Sequence, residues 1–374
     1  MISVDKKERL ISLDVFRGIT IAGMILVNNP GSWSNIYPPL QHASWHGCTP
    51  TDLIFPFFLF IVGVAITLSL SKRKSRGDDQ SKLIANIFRR SLILFILGLI
   101  MSGFPFFDFS SIRIPGVLQR IAVVYLISSI MFLKLSVKAI LYSAVLFLLL
   151  YWALLTLIPV PGIGAANLEK TTNISAWLDN LLLSGHLWRV TKVWDPEGIL
   201  STLPAIVSAL IGILTGHWLQ TKNDKTTKTV WLFVYGCILM LAGYIWDGWF
   251  PLNKSLWTSS YVLYTSGLAL LFLAICYWFI DVKKIHWWVK PFQVYGLNAI
   301  TVFFLSGLMA RLLSLIKVMD SIGAEVSIKE LLYSSLFLSW LSPINASLVW
   351  ALTYVSIWLG LMWILYAKRI FIKV

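Results

Sequence analysis

Charge is scarce in this chain: only 13% of its 374 residues are Asp, Glu, Lys or Arg, where a soluble domain carries roughly 25%. That shortage excludes an ordinary soluble fold. Cysteine is nearly absent as well. Three residues with no CxxC or paired spacing exclude a disulfide framework and a thiolate metal site. Cys237 and Cys276 fall in apolar runs, where they act as small hydrophobes, and Cys48 stands apart. Acidic residues are the rarer sign, 17 against 31 basic ones, for a net charge of +14. No internal repeat, low-complexity tract or soluble domain is visible, so residues 1–374 are expected to form a single domain.

Apolar sequence is what the chain has in abundance, with 57% hydrophobic residues and a mean hydropathy of +0.77. A bilayer core takes roughly 20 such residues per helix. The expected fold class is therefore an all-α integral membrane protein, a polytopic bundle of about ten transmembrane helices. The runs lie at 16–29, 51–71, 90–106, 115–133, 137–158, 198–219, 229–247, 257–280, 292–316 and 347–367. The amino terminus, MISVDKKERLISLD, is too polar for a signal peptide, so the first run is expected to be a retained helix.

Basic residues fix the expected orientation. With both termini in the cytoplasm, the inward segments hold Lys6, Lys7, Arg9, Arg17, Lys72, Arg73, Lys74, Arg76, Lys82, Arg89 and Arg90. Further along they hold Lys134, Lys138, Lys222, Lys225, Lys228, Lys283, Lys284, Lys290, Lys368, Arg369 and Lys373. These are 22 of the 31 basic residues, the bias that the positive-inside rule demands. Topology and anionic lipid thus account for the net charge, and no nucleic-acid partner is expected. The long segments, Pro30–Pro50, Pro159–Glu197 and Lys317–Ala346, would all face outward.

Polar groups inside spans mark function by default. Arg120 opens the apolar helix of RIPGVLQRIAVVYL with Gln119 beside it; it reads either as a ligand contact or as a partner for Asp14 or Asp52. Asp14 and Arg17, three apart on the first helix, read as a neutralising pair. Asn298, in VYGLNAITVFF, reads as a helix-to-helix hydrogen-bonding amide. Asp247 and Lys254 read as solvated interfacial charges.

The densest polar cluster is QHASWHGCTPTD (Gln41–Asp52), which runs straight into an apolar span. His42 and His46 would share one face of a helix, yet a zinc site needs a third ligand and usually an acidic helper, so no metal is expected. A Cys48–His42 nucleophilic pair lacks anything to activate the thiol. His42 reads as a general base, a role that suits an imidazole near neutral pH, with Asp52 orienting the ring. The alternative is a hydrogen-bonded interfacial histidine. Trp33, Tyr37, Trp45, Trp188 and Trp194 suit either sugar stacking or an aromatic belt.

Seven ordered blocks resemble a known family. LDVFRG (Leu13–Gly18), Asn28, HASWHG (His42–Gly47), DLIFPFFLFIVG (Asp52–Gly63), RIPGVLQR (Arg113–Arg120), DPEGIL (Asp195–Leu200) and NKSLW (Asn253–Trp257) are similar to the heparan-α-glucosaminide N-acetyltransferase family, including bacterial members associated with N-acetylglucosamine use. The resemblance implies a transmembrane acyltransferase that takes acetyl from cytoplasmic acetyl-CoA and delivers it to a glucosamine amine on the opposite face. It places the active-site histidine on His42 and a functional asparagine on Asn28; with Asp52, read above from the residues alone, these form the candidate catalytic set. It also implies a homodimer, and an inner-membrane location in a bacterium. The amino-terminal luminal region and extra span of the lysosomal member are expected to be absent, so a free amino sugar is the expected acceptor.

On that footing Asn28 is the candidate oxyanion donor, while Arg17, Arg120, Gln119 and Asn298 are candidate linings of a CoA path. Trp45, Trp194, Asp195 and Glu197 are candidate contacts for the sugar. Two rival functions remain: an amino-sugar transporter without chemistry, and an O-acetyltransferase of a surface polysaccharide. The lack of an internal repeat weighs against the transporter.

Overall fold

Long apolar runs close all their backbone hydrogen bonds internally only as helices, and helices dominate the computed structural model, which describes residues 10–320 and 323–372. Among the described residues nine helices are long and apolar enough to span a bilayer. They are α1 (Ile11–Asn28), α2 (Ile54–Ser75, entered through a 3₁₀ turn at Pro50–Leu53), α3 (Gln80–Gly103), α4 (Val117–Lys134), α5 (Val137–Leu157), α7 (Thr202–Leu219), α8 (Lys225–Asp247), α9 (Ser259–Tyr277) and α13 (Pro343–Ala367). A tenth span is the bent pair α10 (Val289–Leu297) and α11 (Ala299–Leu315). Between spans lie the short α6 (Ile174–Leu183), a hairpin of β1 (Lys317–Met319) and β2 (Glu325–Ser327), and α12 (Ile328–Tyr333).

The expected continuous helix over 292–316 is broken by 80°. Asn298 at the break has φ −121° and ψ 36°, which no α-helix allows. Its carboxamide donates to Ile370 O (3.1 Å) and accepts from Ile372 N–H (2.9 Å). The buried amide therefore clamps the carboxy-terminal segment rather than a neighbouring helix. Several helices also begin earlier than their apolar runs; α3 starts at Gln80, ten residues before the expected 90. Hydropathy stops at a charge, whereas a helix continues through Lys82, Arg89 and Arg90 because long basic side chains snorkel.

Small residues let helices approach closely in the absence of a hydrophobic drive between them. A Cβ on Gly63 of α2 would lie 1.9 Å from Ala209 O of α7, and one on Gly18 of α1 would lie 1.8 Å from Phe292 O of α10. α7 is the most enclosed span and α8 the least. Basic residues knit one end of the bundle. Lys74 Nζ donates to Phe132 O (2.6 Å), Lys134 Nζ to Gln80 Oε1 (2.8 Å) and Lys225 Nζ to Asp281 O (3.5 Å). Lys6, Lys7, Arg9 and Lys373 lie outside the described residues.

Candidate active site

The loop from Gln41 to Thr49 is folded by one carboxylate. Asp52 sits in the 3₁₀ turn that opens α2, and its Oδ2 accepts from Thr49 N–H (3.0 Å), the Thr49 hydroxyl (3.0 Å) and Ala43 N–H (3.1 Å). The loop is pulled back over the helix start, so His42 and His46 do not share a helix face. Asp52 Oδ1 lies 2.6 Å from His42 Nδ1. The carboxylate side chain is 1% exposed and the imidazole 47%. An ionised carboxylate only accepts, so the imidazole meets Asp52 with Nδ1–H and turns Nε2 away from it.

A second loop completes the cluster. Gly47 N–H donates to Leu252 O (2.7 Å), and Asn253 Nδ2 lies 3.4 Å from His46 Nδ1. This docking carries Lys254 Nζ to 3.0 Å from His42 Nδ1, 3.4 Å from Nε2 and 3.5 Å from Asp52 Oδ1. Burial pulls the Lys254 pKa below the ordinary lysine range, opposed by Asp52 and Glu197. Burial also pushes the Cys48 thiol up to about 12, with Asp52 adding to the rise. A protonated thiol is no nucleophile, which removes the Cys48–His42 pair.

His42, Asp52 and Lys254 open on a cavity of about 370 Å³. Asn28, Trp45, Trp194 and Glu197 line it too. The two indoles pack edge to face at 5.3 Å, and Trp45 Nε1 donates to Leu168 O (2.9 Å). Asp195 was expected among the sugar contacts, but its oxygens are already taken. Arg113 binds both of them (2.8 and 2.5 Å), and the N–H groups of Trp188 (3.0 Å) and Glu197 (3.0 Å) bind one each. Arg113 also reaches Glu197 Oε2 (2.5 Å). Burial works against its charge, yet the two carboxylates raise its pKa. Asp179 of α6 accepts from Ile199 N–H (2.9 Å) and Asp195 N–H (3.4 Å), anchoring the same turn, and burial raises its pKa to about 6.

A further cavity, of about 270 Å³, lies toward the basic end and is lined by Arg17, Ala65, Arg90, Tyr125 and Gly296 among others. Arg17 pairs with Asp14 (3.4 Å) as the spacing implied. Arg120 lines neither cavity. It is buried, donates to Gly198 O (3.1 Å) and Ser201 Oγ, and lies 5.2 Å from the Trp257 ring. Its expected partners Asp14 and Asp52 are engaged by Arg17 and His42. Gln119 lies in the wall of a third cavity between α3, α4 and α11, and Asn298 is spent on the carboxy-terminal clamp. Of the four residues expected along a CoA path, only Arg17 lines the cavity at the basic end.

Lys254 and Arg113 were not singled out for the site, and Trp188 was read as either a sugar-stacking or a belt residue, yet all three line the His42 cavity. Lys254 and Arg113 do stand in two of the family-like blocks, which was the available signal.

These features define a polytopic membrane protein with an imidazole–carboxylate centre at one end of its bundle. A family model described as heparan-alpha-glucosaminide N-acetyltransferase, catalytic, matches residues 9–243. The human heparan-alpha-glucosaminide N-acetyltransferase is 31% identical over 98% of this chain and 60% of its own length. The mouse protein of that name is 32% identical over 79% and 53%. The chain therefore belongs to the heparan-alpha-glucosaminide N-acetyltransferase catalytic family, an acyltransferase family, and spans about 60% of the human relative's length.

Proposed function

We propose that this protein transfers acetyl from acetyl-CoA to the amine of glucosamine or a related amino sugar, with His42 as general base. The observation that carries the reading is the 2.6 Å His42–Asp52 bond, which leaves Nε2 basic at a cavity shared with Asn28 and two stacking indoles. The amine nitrogen attacks the thioester carbonyl, an N–C bond forms and the C–S bond breaks. The attacking amine is neutral, any ammonium having first given a proton to solvent; His42 Nε2 then takes one proton from the nitrogen of the adduct and returns it to the departing thiolate, giving amide and thiol. Asn28 and Lys254 are the donors available to the oxyanion. Trp45 and Trp194 stack on the sugar, Glu197 meets its hydroxyls, and Asp195 serves by holding Arg113.

Acetyl-CoA enters from the basic end, which faces the cytoplasm by the positive-inside rule. Its phosphates stay near Arg17 and Arg90, and the pantetheine arm reaches toward His42. The amine and thioester meet directly, without an acetyl-histidine intermediate. The protein acts as a homodimer in a bacterial plasma membrane.

Purified protein with acetyl-CoA and glucosamine tests this. Free CoA and N-acetylglucosamine should appear one for one. A transporter releases no CoA. An O-acetyltransferase instead releases CoA with N-acetylglucosamine as acceptor, which has no free amine.

A further inference from the structure

A cavity of about 410 Å³ takes no part in the acetyl transfer proposed above, although Arg113, Val117 and Trp188 line both it and the His42 cavity. It lies between the ends of α3 and α11 and the start of α4, at the His42 end of the bundle. Three arginines line it, Arg113, Arg189 and Arg311, against one carboxylate, Asp108. Arg113 is committed to Asp195 and Glu197, and Asp108 is bound by the Ser110 and Ser111 hydroxyls (2.6 and 2.5 Å). Among the described residues Arg189 Nη2 donates to Ser111 Oγ (3.2 Å) and its charge acts on Asp108, while Arg311 Nη1 donates to the carbonyls of Met101, Ser102 and Phe104. Neither of these two has an ion pair among the described residues. Gln119 forms part of the inner wall, its amide packed against Gly98 and Gly116 and closed off from the cavity.

The mouth has the opposite character. Phe106, 80% exposed, and Leu315, 38% exposed, flank it, and Met101 and Phe303 form apolar wall. α3 is among the least enclosed spans, so its outward face is the one that lipid covers.

We infer that this cavity binds the phosphate of an anionic phospholipid. Arg189 and Arg311 hold the phosphodiester oxygens, and an acyl chain lies over Phe106 and Leu315. The guanidinium fork matches phosphate oxygens in charge and geometry. A sugar chain extending from the acceptor fits less well, because Arg113 stacked on Trp188 (5.5 Å) stands as a partition toward His42.

Delipidated full-length protein in a neutral detergent is the test material, probed with phosphatidylglycerol, phosphatidylcholine and inorganic phosphate. Native mass spectrometry should show retained phosphatidylglycerol, little phosphatidylcholine, and a thermal shift that phosphate alone does not reproduce. Arg189→Ala, at an exposed position, should cut retention about tenfold, the loss of one charged contact, and Arg189→Glu should cut it further. Equal retention of both lipids, retention unchanged in both variants, or a full shift with inorganic phosphate would overturn the inference. So would a rise in the glucosamine KM of Arg189→Ala, since that gives the cavity to the acceptor.

Discussion

Val117 and Ile121 stand one helical turn apart on the same face of α4. The first lines the His42 cavity and the second the cavity of Arg17 and Arg90. Phe55 and Phe58 repeat the relationship on α2. Residues three or four apart on a helix are neighbours, about 5–6 Å between Cβ atoms, so on both helices the walls of the two spaces come within one turn of each other. The proposed acetyl-CoA route runs between them.

Filling the inner space should therefore act on one substrate. Ala65 lines the Arg17–Arg90 cavity and is partly buried. Ala65→Phe should raise the KM for acetyl-CoA about tenfold, near 1.4 kcal/mol, with the glucosamine KM little changed. Steady-state kinetics with each substrate varied in turn checks this; an unchanged acetyl-CoA KM contradicts the route.

Asp52 fixes the tautomer of His42 and also folds the loop that carries it. Asp52→Asn replaces one acceptor with an N–H₂ group facing either the imidazole or the Thr49 and Ala43 N–H groups. Turnover should fall on the order of 10³–10⁴-fold, as when a general-base histidine loses its orienting carboxylate. A loss under tenfold, measured as CoA release by folded protein, would remove Asp52 from the dyad.

Asn28 caps no backbone in the structure; it ends α1 at the cavity wall. As an oxyanion donor it acts only in the transition state. Asn28→Ala should lower kcat by about 10²–10³-fold with little change in KM for either substrate. An effect confined to KM would assign Asn28 to substrate binding instead.

The buried carboxyl of Asp179 gives the turn at Asp195 a pH dependence. Burial raises its folded pKa from 3.8 to about 6, so the folded state holds its proton more tightly than the unfolded chain does. Stability is then greatest below the unfolded value and is lost as pH rises through about 4 to 6, on the order of 3 kcal/mol when complete. Thermal midpoints in detergent should be lower at pH 7.5 than at pH 5. Asp179→Asn should flatten this difference relative to the parent; an identical pH slope in both proteins would contradict it.

Much of this was legible in the chain, for reasons that separate cleanly. Spans announce themselves because bilayer apolarity is a local, one-dimensional property, and His42 and Asp52 are close enough in sequence for one turn to join them. Lys254 reads as a solvated interfacial charge until Gly47 is seen bonded to Leu252, a contact between loops some 200 residues apart with no sequence period to reveal it. Arg120 and Arg113 show the same limit from both sides. Each is an arginine near the start of α4, yet which one turns to the cavity depends on where the 195–201 turn lies. The bend at Asn298 escaped because its cause is a pair of bonds to Ile370 and Ile372, far along the chain from an apolar run that looks unbroken.

His42 carries the whole account, and its removal is the most direct test. His42→Ala should retain the parent's detergent-solubilised fold and thermal midpoint, because the ring is about half exposed and forms no part of the core. CoA release with saturating acetyl-CoA and glucosamine should drop to background. Turnover at even a tenth of the parental rate in folded His42→Ala protein would mean that another group moves the proton.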